Sequence, residues 1–344
     1  MNRKHFIVLF ILVASVAACN KDDLLAPFFN GFQKPANFPE PVYHFTTNPV
    51  TKDGFELGRK LFYETMLSAN NTISCGSCHI QTAAFTHHGH SLSHGILDRM
   101  GTRNSPPIMN LAWNTSFMWD GGIADMDLQA IAPITNHVEM DETMANVLQK
   151  LRSSSTYPAL FKKAYGSDEI STASFLKSLS QFMAMCVSSN SKYDSVKRNQ
   201  GVSFSKEEEK GYNLVKQKCT PCHQEPLFTD YSFRNNGSSI SGVNDMGRYQ
   251  VTQHDADKYT FKVPSLRNLS FTAPYMHDGR FFTLDAVLDH YTGQVQNTPN
   301  LDPLFQKGVK LGIPLTTNER SSILVFLKTL DDRSFLFDKR FSEQ

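Results

Sequence analysis

The sequence has no surplus of charge. Its 344 residues hold 34 Lys and Arg against 33 Asp and Glu, a net of +1. That excludes the basic field with which proteins hold nucleic-acid phosphates, and there is no acidic tail. Alternating β-branched runs are scarce, so little sheet is expected. Beyond the first 18 residues no stretch is apolar for long enough to cross a bilayer. Tryptophan is rare, with only Trp113 and Trp119, and there are six cysteines. Apolar residues make up 40% of the chain, ample for two cores or one large one.

The N-terminus, "MNRKHFIVLFILVASVAAC", opens with Arg3, Lys4 and His5 and runs apolar from Phe6 to Ala18. This is too short to span a membrane and fits the apolar segment of a secretory signal. Val16, Ala17 and Ala18 lead directly into Cys19, as in a bacterial lipoprotein signal. The alternative is a plain signal peptide with an incidental cysteine. Several acyl chains on Cys19 would anchor the protein stably, with no other membrane attachment. The next stretch carries Pro27, Pro35, Pro39, Pro41 and Pro49. It reads as a semi-extended tether.

The remaining cysteines are paired by spacing. Cys75-Gly76-Ser77-Cys78-His79 and Cys219-Thr220-Pro221-Cys222-His223 are both C-x-x-C-H, the attachment pattern of a c-type haem. Two thiols one turn apart add to the two vinyl groups, and the adjacent histidine becomes the proximal iron ligand. One such motif also fits a zinc site or a redox dithiol. Two in one exported chain point to two covalently bound haem c groups. Cys186 is left over in "FLKSLSQFMAMCVSS" and reads as a buried thiol packed as a small hydrophobe.

The chain also repeats itself. "PPIMNLAWNTSFMWDG" (106–121) lies over "PSLRNLSFTAPYMHDG" (264–279) at an offset of 158, with Trp119 where the second copy has His277. Each copy follows one C-x-x-C-H, which indicates a duplicated unit. Helix starts are marked at Ser205-x-x-Glu208 and Thr316-x-x-Glu319, both capping boxes, at Ser171 or Thr172, and at Thr283. Long loops such as "NNGSSISGVNDMGR" (235–248) separate them, and a boundary suits the polar stretch 189–205. The expected fold is all-α, two cytochrome c-like haem domains with long haem-wrapping loops. The expected divisions are a signal peptide (1–18), a tether (19–52), an N-terminal domain (53–200) and a C-terminal domain with tail (201–344).

The stretches "LGRKLFYETMLSANNTISCGSCH", "GTRNSPPIMNLAWNTSFMWDGG", "PITNHVEM", "FKVPSLRNLSFTAPYMHDGRF" and "TLDAVLDHY" resemble the bacterial di-haem cytochrome c peroxidase family, which includes MauG. The resemblance runs over roughly 53–330. It implies two c-type haem domains, a calcium ion between them, and hydrogen peroxide reduction at the N-terminal haem. The electrons would come from a small cytochrome or copper protein in the periplasm or cell envelope. It leaves room for a homodimer.

By the same resemblance Glu139 is the catalytic acid–base, Gln129 its distal-pocket neighbour and Trp119 the electron relay. His79 and His223 are the proximal ligands, and His94 caps the first haem at rest unless that site stays open. His277 lies on the distal side of the second haem. Calcium falls to the Asn104 side chain and the carbonyls of Thr272 and Pro274. Where the peroxidases carry a methionine ligand to the second iron, fourteen residues after the motif histidine, this chain has Tyr291. MauG also has a tyrosine there. Met276 is the rival ligand, and an open site is the third reading. A MauG-like oxidase acting on a protein or organic substrate is the alternative function, and a di-haem electron carrier the second alternative. A pure carrier would have no use for Glu139 and Gln129.

Overall fold

The computed structural model describes residues 29–240 and 244–344. The signal segment and Cys19 lie outside the described residues. Two helix pairs organise the rest. In the N-terminal half, α1 (Lys52–Phe62) packs along α2 (Thr172–Met185). In the C-terminal half, α3 (Lys206–Lys218) packs along α5 (Thr317–Leu327), with α4 (Leu284–Asp289) between them in sequence.

The local reasons are the expected ones. Thr51 and Thr283 accept from the third residue of their helices, and Ser171, Ser205 and Thr316 close capping boxes. Both pairs cross on a glycine. A Cβ on Gly58 would lie 1.9 Å from the Ser178 carbonyl oxygen, and one on Gly211 2.0 Å from that of Ser322. No side chain fits at either crossing, so the backbones themselves touch.

The internal repeat is structural as well as sequential. Asn110 and Asn268 both take left-handed backbone (φ 57° and 59°), and each starts a short 3-10 turn. Met118 and Met276 are also left-handed (φ 65° and 73°), as are Gly121 and Gly279. Phe117 bridges Ile123 and Tyr275 bridges Phe281. Among the described residues sheet is limited to β1 (Phe233–Arg234) against β2 (Phe261–Lys262), antiparallel, with Phe233 facing Lys262. The protein is thus mostly helical, as composition requires.

Gly31–Gln344 forms one compact unit. Within it, the described part of the proline-rich segment is packed. Phe38 is buried against Trp113, and the Trp113 indole N–H donates to Pro39 O at 2.9 Å. Phe32 and Phe45 stack beside them. Phe32, Phe38, Tyr43 and Phe45 give this strap an apolar side, which the prolines alone do not reveal. The polar stretch 189–205 likewise holds a helix, Lys192–Lys197, whose Tyr193 and Asp194 are fully buried. Asp194 meets Arg267 of the C-terminal half through two bonds of 2.8 and 2.9 Å, with both side chains at 0% exposure. Cys186 is buried, and burial holds its thiol well above the ordinary range.

Candidate functional site: two cysteine–histidine clefts and the loops between them

Cys75–Cys78 forms a single helical turn that ends at His79. This turn lines a cleft with Phe62, Ile73, Ile108, Ala130, Pro133, Met140, Leu179 and Met183, while Gln129 and Glu139 supply its polar wall. The cleft encloses about 600 Å³ of atom-free space, its mouth included. His79 Nδ1 lies 2.7 Å from Phe85 O. A carbonyl accepts only, so Nδ1 carries the proton and Nε2 keeps its lone pair for a metal. Burial pushes the Cys75 thiol up to about 12 and that of Cys78 to about 11, so both are neutral.

The second motif is built alike. His223 Nδ1 is 3.2 Å from Phe228 O and 3.1 Å from Pro264 O. Burial raises Cys219 to about 12 and Cys222 to about 11. Among the described residues no three His, Cys, Asp or Glu side chains converge as metal ligands. Each motif is instead two unpaired neutral thiols and one oriented histidine, and the first of them lines a mostly apolar slot. That donor set fits a porphyrin fixed by thioether bonds better than a tetrahedral zinc ion.

Glu139 sits in the turn after the short helix Ile131–Thr135. Burial raises its pKa above the ordinary glutamate range, opposed by Asn136 Nδ2, which donates to Oε1 at 2.8 Å. Its loop is held from below by residues 93–98. Ile96 N donates to Glu139 O at 2.7 Å, and a Cβ on Gly95 would lie 2.4 Å from Glu139 Cα. His94 is on this loop but not in the cleft lining, which takes Ser93 and Gly95 instead. Its ring lies 4.8 Å from His90 and 5.9 Å from His87, and its Nδ1 is 2.8 Å from Asp98 Oδ1.

The two "DG" loops cross between the halves. Lys262 N donates to Trp119 O at 2.8 Å, and the ring edge of Phe233 closes on Gly121. In return Asn104 N donates to His277 O at 2.7 Å, and Gly279 sits on Ser91. Trp119 Nε1 donates to Asn104 O at 2.8 Å. One peptide-linked residue thus joins the two repeat partners, Trp119 and His277. The His277 imidazole stacks on Phe261 at 3.6 Å, and burial lowers its pKa to about 4. Asn104, Thr272 and Pro274 are all buried, and the Asn104 amide donates to His90 O and Ser91 O.

At the second motif Tyr291 lies in a turn of π-helix, His290–Gln294, directly after α4. Such turns occur often at functional sites. Burial raises the Tyr291 phenol to about 12, and Asn236 opposes that by hydrogen bonding. Met276 Sδ accepts from Asn236 Nδ2 at 3.3 Å. Sequence reasoning missed Asn236, because it lies in a Gly/Ser-rich stretch that reads as plain loop.

The di-haem cytochrome c peroxidase family model matches residues 52–201. MauG of Methylorubrum extorquens is 33% identical over 303 residues, 85% of this chain and 82% of that one. Cytochrome c551 peroxidase of Nitrosomonas europaea is 34% identical over 300 residues, 86% of this chain and 84% of its own length. The chain belongs to the di-haem cytochrome c peroxidase family. It is therefore an oxidoreductase of that kind, and the family implies two c-type haems. A solved MauG-like protein associated with microbial copper homeostasis superposes with a TM-score of 0.81 at 30% identity, over 90% of this chain and 98% of that one.

Proposed function

We propose that the protein reduces hydrogen peroxide to water at the first cleft, drawing electrons from a small periplasmic cytochrome or copper protein through the second. Cys75 and Cys78 hold one haem with His79 as proximal ligand, and Cys219, Cys222 and His223 hold the other. The bound haems supply redox-active iron for the electron transfers. The protein residues supply position and protons. Peroxide takes up two electrons and two protons to give two waters. Glu139 as carboxylate accepts the proton of one peroxide oxygen and, as acid, returns it to the other, which leaves as water. Gln129 orients the peroxide from the same wall.

The carrying observation is Glu139 itself, a half-buried carboxyl lining the cleft of Cys75, Cys78 and His79, with a raised pKa and one anchoring amide. The test is steady-state turnover with a reduced cytochrome donor. Glu139→Gln keeps both haems but lowers turnover on the order of 10²-fold. The raised pKa sets the sign of the pH dependence. The base form is lost as pH falls through a value above the ordinary glutamate range, and this limb disappears in Glu139→Gln. Unchanged turnover removes Glu139 from the mechanism.

Trp119 is the electron relay in this reading, supported by its indole bond to the Asn104 carbonyl while the Asn104 N–H reaches His277. Calcium, held by the Asn104 side chain and the carbonyls of Thr272 and Pro274, braces the same junction. His94 would be the residue to cap the first haem at rest, and its ring would have to leave His90 and Asp98 to do so. The protein faces the periplasm on a lipid-modified Cys19. A second reading is a MauG-like oxidase of a protein or organic substrate, and Tyr291 favours it. A phenolate ligand stabilises oxidised iron, whereas a thioether raises the potential. Turnover on added protein or quinol substrates, compared with cytochrome-dependent peroxide turnover, separates the two.

A further inference from the structure

Two candidate ligands for the second haem, Tyr291 and Met276, meet at one side chain. Asn236 Nδ2 lies 3.3 Å from Met276 Sδ, and the same residue lies beside the Tyr291 turn, its carbonyl 3.0 Å from His290 Nε2 and its amide close enough to lower the phenol's pKa. Which end of the amide points where is decided by Ser238. The Ser238 N–H donates to Asn236 Oδ1 at 3.2 Å and the Ser238 hydroxyl donates to it at 2.9 Å. A backbone N–H can only donate, so Oδ1 faces Ser238 and the NH2 group faces the ligand pair. That group has two hydrogens, enough for one sulfur and one phenol oxygen.

The support beneath the amide is stiff. Asn236 O is 3.0 Å from His290 Nε2, the residue before Tyr291. Asn235 Nδ2 donates to Pro299 O at 2.7 Å, and Gln296 N donates to Gly237 O at 2.9 Å. Met276 is pinned too, by its left-handed backbone and by Gly279 N donating to its carbonyl. Neither the amide nor the methionine backbone has slack.

We propose that Asn236 is a positioning residue that assigns the distal side of the second haem to Tyr291 and keeps Met276 off it. One N–H holds the thioether sulfur in its present direction, and the other is left for the phenol on the π-turn. This rests on the reading that Tyr291 ligates the second haem, and the variants separate the two claims. The assay is near-infrared absorption and magnetic circular dichroism of the ferric holoprotein, with the second haem's potential measured by titration. The parent is expected to lack the band of histidine–methionine ligation, and Tyr291→Phe to change its spectrum. Asn236→Ala is expected to gain that band with a higher potential, and Asn236→Ala/Met276→Leu to lose it again. A parent that already shows the band, or a Tyr291→Phe spectrum like the parent's, overturns the ligand reading and the proposal with it. A changed Tyr291→Phe spectrum with Asn236→Ala like the parent overturns the proposal alone. Asn236→Ser, which keeps a single donor, is a second variant should the alanine protein not load haem. It is expected to show the band partially, and a parent-like spectrum there counts against Asn236.

Discussion

Gly95→Ala tests whether the position of Glu139 matters separately from its chemistry. Gly95 has a negative φ of −113°, so alanine there needs no left-handed backbone. The obstacle is steric. The new Cβ would lie 2.2 Å from Val138 O and 2.4 Å from both Glu139 Cα and O, and all three are backbone atoms. Ordinary contact begins near 3.4 Å, so one loop must retreat by about an ångström, and the Ile96–Glu139 bond opens with it. A misplacement of that size costs on the order of 10²-fold in rate, about 2.7 kcal/mol of barrier. The Cys75–His79 turn meets this loop through Cys78 Sγ, which donates to His94 O at 3.2 Å, a bond that thioether attachment gives up, so haem attachment and the proximal ligand should survive. Peroxide turnover is measured beside a haem-stained denaturing gel. Since the loss acts through Glu139, Gly95→Ala should cost little more in a Glu139→Gln background. Full turnover in the single variant, or additive losses in the double, refutes the reasoning.

Trp119→Phe keeps an aromatic ring, though a smaller one, and loses the N–H to Asn104 O. Electron passage from the second haem to the first should slow in rapid-mixing experiments, and an unchanged rate places the relay elsewhere. Chelation of calcium should slow the same step and added calcium should restore it, whereas Asn104→Ala should not recover. A holoprotein without calcium by elemental analysis ends that proposal. Asp194→Ala strands the buried Arg267 guanidinium, a loss of roughly 3–5 kcal/mol, read as a lower denaturant midpoint. A shift of less than 1 kcal/mol would mean that water reaches the site.

Much of this was legible in the sequence because it is local. A cap is set by four residues, and Ser205, Glu208, Thr316 and Glu319 bond as their spacing requires. C-x-x-C-H places two thiols and an imidazole on one turn wherever the chain goes next. Side-chain direction is different. His94 belongs to a motif by its neighbours, yet its ring lies against His90 and Asp98, outside the cleft lining. That choice is made by rotamer and by partners that a linear pattern does not contain. Likewise nothing in the polar stretch 189–205 marks Asp194 as the buried partner of Arg267. They are buried because 73 residues of chain bring a guanidinium and a carboxylate into bidentate register.

The repeat shows the same limit from the other side. Its sixteen positions indicate duplication, and Asn110 and Asn268, Met118 and Met276, and Gly121 and Gly279 do share their backbone angles. Nothing in the pattern says that each copy closes on the opposite half. The reason lies in the glycines. Gly121 and Gly279 have positive φ and no Cβ, so each exposes backbone that a foreign surface can reach, Phe233 in one case and Ser91 in the other. Between Met118 and Gly121 and their counterparts the copies differ at a single position, Trp119 against His277. Both still converge on Asn104, one through an indole and the other through a carbonyl. A single residue holding the two halves by opposite ends of its backbone couples them mechanically. In the peroxidase reading, the junction electrons must cross is therefore also the one whose geometry either half can disturb.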